Sequence, residues 1–328
     1  MRRVLALLSV MSFSGGSLTA QQAELSGPLA GFVFDAPTGS FRAVIGLPGS
    51  ASLGPSILEG YGRGSVAPGK DYGLAFKDGK CAFVSGLGSV HASAYALPGA
   101  IADAEGVVWS ANGSLALLFS RTGNWIQTFA GIPDSAAPQL SVDLSVLGGS
   151  LSGIATDATG RRIAIGVAGE SGGVYLITDG GDPVPLLAGS KPIALAFSDD
   201  ESRLYALDAF APRLTELQLS GLTSQVFSLE GLKDPMAIKA TRDAANQSVL
   251  YLAGGNDRLL RAYDVSSHEI LADIPLDFAP TELMELGRNT FLVATRNRSE
   301  DPLWLFTPTL REAVYFVPAG PADSRGAQ

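Results

Sequence analysis

The chain is a succession of short apolar runs separated by turns rich in Gly, Asn, Asp and Pro. In "AFSDDESRLYALD" (196–208) a tight acidic turn leads into a strand with four apolar residues in a row. A strand with one wet face alternates apolar and polar residues. This one does not, so both of its faces must be dry. Comparable runs are "YGLAF" from Tyr72, "LALLF" from Leu115, "IAIGV" from Ile163, "LYALD" from Leu204, "VLYLAG" from Val249 and "FLVAT" from Phe291. They start at intervals of 43, 48, 41, 45 and 42 residues. A turn precedes each ("APGKD", "SANGS", "DATGRR", "SDDES", "RDAANQS", "ELGRN"), and two further apolar runs follow, as "RLTELQL" and "SQVFSLE" follow "LYALD".

Four strands per unit at a fixed period of 41 to 48 residues is the pattern of a β-propeller blade. Inner strands of a blade face neighbouring blades on both sides, which removes the alternation. The Ala and Gly of "IALAF", "IAIGVAG" and "YGLAF" suit strands that converge on an axis. No segment has the length and 3.6-residue period of a core helix. A parallel β-solenoid would have shorter coils and less regular turns.

Six complete units occupy roughly residues 64 to 320. Ahead of them, "GFVFDAPTGSFRAVIGLPG" (31–49) reads as a hairpin that matches the outer strand pair of other units. The expected architecture is all-β: four-stranded antiparallel blades, seven if this hairpin belongs to a reduced blade, six if it only supplements the last one. In either case an N-terminal strand must lie beside the C-terminal blade and close the ring, because an open edge invites aggregation.

The stretch "IALAFSDDESRLYALDAF" resembles the repeat of YVTN-type, WD-like bacterial β-propellers through Ser198, Asp199, Arg203, Leu204 and Tyr205, with Asp200 and Glu201 in place of the commoner residues. The likeness is carried mainly by this one unit. It implies the propeller fold. The superfamily holds exported binding proteins as well as lactonase-like enzymes, so it does not choose between them.

The first residues, "MRRVLALLSVMSFSGGSLTA", combine a basic start, an apolar core and a small-residue exit, the pattern of a secretory signal peptide over 1–20. A single domain over 21–320 and a disordered tail over 321–328 complete the expected layout. An exported protein would work in the periplasm, the cell envelope or outside the cell. Removing the leader takes away Arg2 and Arg3 and moves the net charge from −9 to −11. Such an acidic chain without basic clusters is a poor match for nucleic acid or anionic membrane. No later stretch is long and apolar enough for membrane insertion, and a monomer is expected. Cys81 is the only cysteine and reads as a small buried hydrophobe.

Candidate chemistry is sparse. "GESGG" (169–173) fits G-x-S-x-G around Ser171, but a strand follows where a nucleophile elbow needs a helix. Only His91 and His268 could serve as a base, and neither has a triad context. Two His and one Cys cannot form the common tetrahedral metal sets, and the acidic turns at 179–182 and 255–258 do not follow a calcium loop. "GYGRG" (60–64) lacks the spacing of a phosphate cradle. No metal or cofactor is therefore expected.

Position offers a better lead. In a four-stranded blade the connection from the second to the third strand emerges on the same face as the connection between blades. That face, called the top here, usually carries ligands around the channel mouth. The side chains there are Arg121, Asp208, Asn256, Asp257, Arg296, Asn297 and Arg298. They make the candidate binding site for a small molecule or protein. The first functional expectation is a non-enzymatic binding or scaffold propeller. The alternative is a hydrolytic, lactonase-like propeller using top-face carboxylates and Arg.

Overall fold

The computed structural model describes residues 27–170, 172–189, 191–208, 212–243, 245–287, 289–294, 296–308 and 313–320. The leader expected over 1–20, Ser171 of "GESGG" and the tail from 321 lie outside the described residues.

Among the described residues, twenty-seven strands form seven antiparallel sheets, the blades of a propeller. Blade 1 has three strands: β1 (Leu29–Asp35), β2 (Ser40–Ile45) and β3 (Ser52–Glu59). Blade 2 comprises β4 (Arg63–Val66), β5 (Gly73–Lys77), β6 (Lys80–Ser85) and β7 (Ser93–Ala96). Blade 3 comprises β8 (Gly106–Trp109), β9 (Ala116–Ser120), β10 (Trp125–Ala130) and β11 (Ala137–Asp143). Blade 4 has β12 (Ser150–Thr156), β13 (Arg162–Ala168), β14 (Gly173–Thr178) and β15 (Val184–Ala188). Blade 5 has β16 (Pro192–Phe197), β17 (Arg203–Asp208), β18 (Arg213–Gln218) and β19 (Thr223–Ser228). In blade 6 they are β20 (Pro235–Arg242), β21 (Ser248–Gly254), β22 (Leu259–Asp264) and β23 (Ile270–Pro275). In blade 7 they are β24 (Met284–Gly287), β25 (Thr290–Ala294), β26 (Leu303–Thr307) and β27 (Ala313–Val317). Each sheet pairs its strands in chain order, so every blade is a meander.

The recurring apolar runs are the second strands, and they are the driest. Every residue of β9 and β25 is buried, as are the four central residues of β17. The first strands keep partly exposed positions, such as all four of β8, because they line the axis rather than a neighbour. The acidic turns ahead of the second strands are closed by their own side chains. Ser198 Oγ accepts the amide of Arg203 at 3.0 Å, Ser110 Oγ that of Leu115 at 3.0 Å, and Asp157 Oδ2 that of Arg162 at 3.2 Å. Asp200 gathers the hydroxyls of Ser198 and Ser202 and the Ser202 amide; these bonds hold its carboxyl at about 2. Such short side-chain-to-backbone bonds are why Ser, Asp and Asn occupy tight turns.

Blade 1 breaks the pattern. Only residues 60–62 separate β3 from β4, so β3 ends on the face where β4 begins. Counting back through two antiparallel pairings, β1 also ends on that face. It therefore runs opposite to β4. The Tyr61 amide donates to Gly39 O at 3.1 Å, which places the β1–β2 turn beside that connection. The hairpin expected as an outer pair is thus an inner pair, with β1 packed between β4 and β24.

Among the described residues, no strand pairing spans the seam between blades 1 and 7. It is closed by packing of Val33, Val44 and Leu53 against Leu286, Leu292 and Leu305. A buried ion cluster sits above them: Asp35 Oδ2 lies 3.2 Å from Nη1 of both Arg42 and Arg296.

On the lower face, turns between first and second strands link six blades into a belt. Tyr72 OH donates to Gly113 O at 3.4 Å, and Gly160 packs against Leu115. Arg162 bridges to Glu201 at 2.8 Å, Arg242 to Asp199 at 3.6 Å, and Thr241 Oγ1 to Asn289 Oδ1 at 3.3 Å. The last link skips blade 1. The Gly69 amide of blade 2 donates directly to Leu286 O of blade 7 at 2.9 Å.

Candidate functional site

On the top face, the entry connection of a blade meets its own turn between second and third strands. In blade 3, Glu105 accepts from Ser120 Oγ at 2.9 Å and from the amides of Arg121 and Thr122 at 3.0 and 2.9 Å. Hydrogen bonding from Thr122, by side chain and backbone, with help from Ser120 and Arg121, holds this carboxyl at about 2. In blade 5, Asp208 Oδ2 accepts from the Lys191 amide at 3.4 Å. In blade 6, Asp257 Oδ2 accepts from the amides of Lys233 and Asp234 at 2.6 and 2.9 Å, and Asp234 accepts from the Asn256 amide at 3.0 Å. Carboxylates that meet backbone donors fasten loops, and their charge is engaged in doing so.

Strand order places all seven of the sequence-derived residues on the top face, in four different blades. Arg121 is exposed, its guanidinium 4.9 Å from the Phe119 ring centroid. Asn297 and Arg298 are exposed, and the Arg298 amide donates to Asp301 at 2.9 Å. Arg296 is different. It is 3% exposed and points into the seam, where it meets Asp35 and also donates to Ser299 O.

The structure instead opens a cleft at blade 2, which none of the seven lines. The turn between β5 and β6 has two residues, Asp78 and Gly79, whereas its counterparts have four in blades 3 to 6 and eight in blade 7. The short turn leaves a recess of about 610 Å³ between residues 60–63 and 76–79. Arg63 is the first residue of an innermost strand, so the recess lies beside the axis. Arg63 Nη1 donates to Glu105 O at 3.3 Å, and its guanidinium lies 5.9 Å from the Phe76 ring centroid. Lys77 Nζ lies beside Gly60, 3.7 Å from where a Cβ would stand. Neither cation has a carboxylate partner among the described residues. Tyr61 packs edge-on to Phe41, with centroids 6.2 Å apart. The recess thus sets two cations without carboxylate partners beside Asp78, in a protein of net charge −9. The sequence signal for it was the brevity of "KDGK" (77–80) beside "GYGRG", not any motif.

One further group stands out at the top of blade 7. Glu282 enters β24, and its Oε1 is buried with no hydrogen-bond partner. Burial pushes its acid up to about 7. Cys81 is buried as expected, its thiol pushed up to about 12 by desolvation. Among the described residues, no three His, Cys, Asp or Glu side chains are grouped to hold a metal ion, and no helix is long and apolar enough to cross a membrane.

No protein-family model matches the chain, and no curated protein matches it by sequence. Solved structures do. The chain is similar to virginiamycin B lyase from Staphylococcus aureus, at 14% identity and a TM-score of 0.57 over 78% of this chain and 84% of that one. It is similar to the calcium-binding protein regucalcin from Agrobacterium tumefaciens, at 17% identity and a TM-score of 0.52 over 84% and 88%. It is also similar to a chain of a nidogen/laminin complex, at 15% identity and a TM-score of 0.52 over 77% and 95%. Identities this low speak for fold alone, and together with the seven sheets they establish a seven-bladed β-propeller.

Proposed function

We propose that the protein is an exported, non-catalytic binding propeller that takes its ligand in the top-face cleft of blade 2. The observation that supports this most is the contrast between that cleft and the rest of the face. Elsewhere the carboxylates Glu105, Asp208 and Asp257 are tied to backbone amides. In the cleft, Arg63 and Lys77 carry charge that no described carboxylate neutralises. The volume falls in the range of small-molecule sites. The nidogen/laminin likeness is compatible with a binding role but names no partner for this chain. Calcium binding, named for the Agrobacterium neighbour, finds no three-ligand acidic cluster among the described residues here. The test is an NMR screen of a mixed small-molecule library against isotope-labelled protein. Hits should perturb the amides of Gly60, Gly62 and Gly79, and hits that consistently leave those amides unmoved would refute the site.

The second reading is a hydrolytic enzyme, and Glu282 favours it. A carboxyl pushed up to about 7 at the axial end of a blade has the protonation behaviour of a general acid–base group. A screen of ester and lactone hydrolysis, with Glu282→Gln as control, decides it: turnover lost in the variant supports catalysis.

A further inference from the structure

We infer that the cleft selects a single carboxylate on a small organic body, with Arg63 as its bidentate partner; this rests on the cleft being the binding site. Three features of the recess lead there. First, Arg63 is already oriented. Its Nη1 is held by Glu105 O at 3.3 Å and its plane rests near Phe76, which leaves the Nε–Nη2 edge without a hydrogen-bond partner among the described residues. That edge is a planar two-donor fork, and its natural complement is a planar two-oxygen acceptor. Second, Lys77 adds a compact point charge on the same cleft wall as Phe76, which attracts an anion without dictating its shape.

Third, the rim limits how much charge can enter. Asp78 stands on it, and Asp103 Oδ1 lies 2.6 Å from where a Cβ on Gly79 would be. Two acids at the rim and a protein of net charge −9 oppose a polyanion. A monocarboxylate is matched by Arg63 and Lys77 and escapes most of that repulsion. The half-buried Tyr61 ring supplies surface for the ligand's body. The glycines at 60 and 62 let that body approach the backbone.

The carboxylate could belong to a free acid or to the end of a peptide chain, and the experiment separates the two. Full-length protein would be titrated by NMR at low ionic strength with benzoate, benzamide, acetyl-Gly-Gly as free acid, the same peptide as its amide, and inorganic phosphate. Both acids should shift the amides of Gly60, Gly62 and Gly79 in a saturable way, while the two amides do not. Stronger binding by the peptide acid would identify a chain end as the source, and stronger binding by benzoate a free acid. Arg63→Lys keeps the charge but loses the fork, and it should weaken the acids about tenfold. Lys77→Ala should weaken them less.

Equal shifts from acids and amides would overturn the carboxylate assignment while leaving the cleft as the binding site. So would phosphate binding more tightly than either acid. Arg63→Lys binding as well as wild type would overturn the bidentate role. Silence of the cleft glycines toward every probe up to about 10 mM, a concentration at which even weak fragments bind, would overturn the inference. Continued hits at those glycines in the library screen would then show that only the ligand class was misassigned.

Discussion

Replacing Glu282 with Gln should change how stability depends on pH, in a direction fixed by burial. The carboxyl's acid is raised from 4.5 to about 7, and desolvation is the cause. The folded chain therefore keeps a proton that the unfolded chain loses above about pH 4.5. Stability falls as pH rises through this window and levels off above the folded value. A shift of this size corresponds to about 3 kcal/mol, at about 1.36 kcal/mol per pK unit. Gln keeps the shape and removes the ionisation, but its amide is buried without an assured partner. Its absolute stability is thus less informative than the difference from wild type across pH. Urea melts at pH 4, 5.5 and 8 should show that difference moving in favour of the variant by about 3 kcal/mol, almost all of it between the first and last points. A difference that stays flat from pH 4 to pH 8 would mean that Glu282 ionises as freely as in water. It would also remove the main support for an acid–base role.

Four other outcomes are expected. Asp35→Asn leaves Arg42 and Arg296 buried without a counter-charge and should cost about 3 to 5 kcal/mol in urea melts, as removal of one buried partner usually does. Gly287→Ala would set a Cβ 2.8 Å from Gly69 Cα at a φ of +137°, so it should destabilise by more than the roughly 1 kcal/mol expected for Gly189→Ala, where the space is open. Glu105→Gln should release the turn at 120–122, which the Glu105 carboxylate holds, and weaken cleft ligands several-fold only if that release also shifts the residue-105 carbonyl that receives Arg63 Nη1; equal affinity with an unchanged melting temperature would show that the backbone carbonyl positions Arg63 independently of the side chain. Intact mass of protein recovered after export should place the mature N-terminus near Gln21, and a full-length chain recovered from the cytosol would contradict the leader.

The blades were legible because their causes are local. A dry second strand must lose its alternation, and a turn closed by Ser198 or Asp157 must carry those residues at fixed spacing, so both reappear every blade. What was not legible depends on distant partners. Arg296, like Arg121, closely follows the second strand of its blade, yet one is buried and the other exposed. The difference comes from a carboxylate 261 positions away, Asp35, which no local pattern announces. The cleft carries no motif for another reason: it exists because a turn is short, and a shortened loop leaves no residues to mark it. The hairpin at 31–49 resembles the outer pairs of other blades in its residues. The three-residue link to β4 already contained its direction, since so short a link cannot cross from one face to the other.

That reversed direction also explains how labour is divided between the two faces. In six blades the first strand runs from the top face to the lower one, so each contributes a lower turn to the belt. Blade 1 enters with opposite polarity and three strands, and its tight turn, residues 36–39, lies on the top. It has no lower turn to offer at the inner radius, and Gly69 and Leu286 close the belt without it. Close approach of the two backbones there requires the bare Gly69 and Gly287. The ring is thus completed below by six blades and above by blade 1 through Asp35, Arg42 and Arg296. Just beyond blade 1 the chain passes through residues 60–63, one wall of the cleft, on its way into β4. The recess therefore stands where a three-stranded blade of reversed polarity adjoins a regular one with a two-residue turn. A propeller of seven identical blades would have no such break in its top face, so the irregularity of blade 1 is part of what opens the recess there.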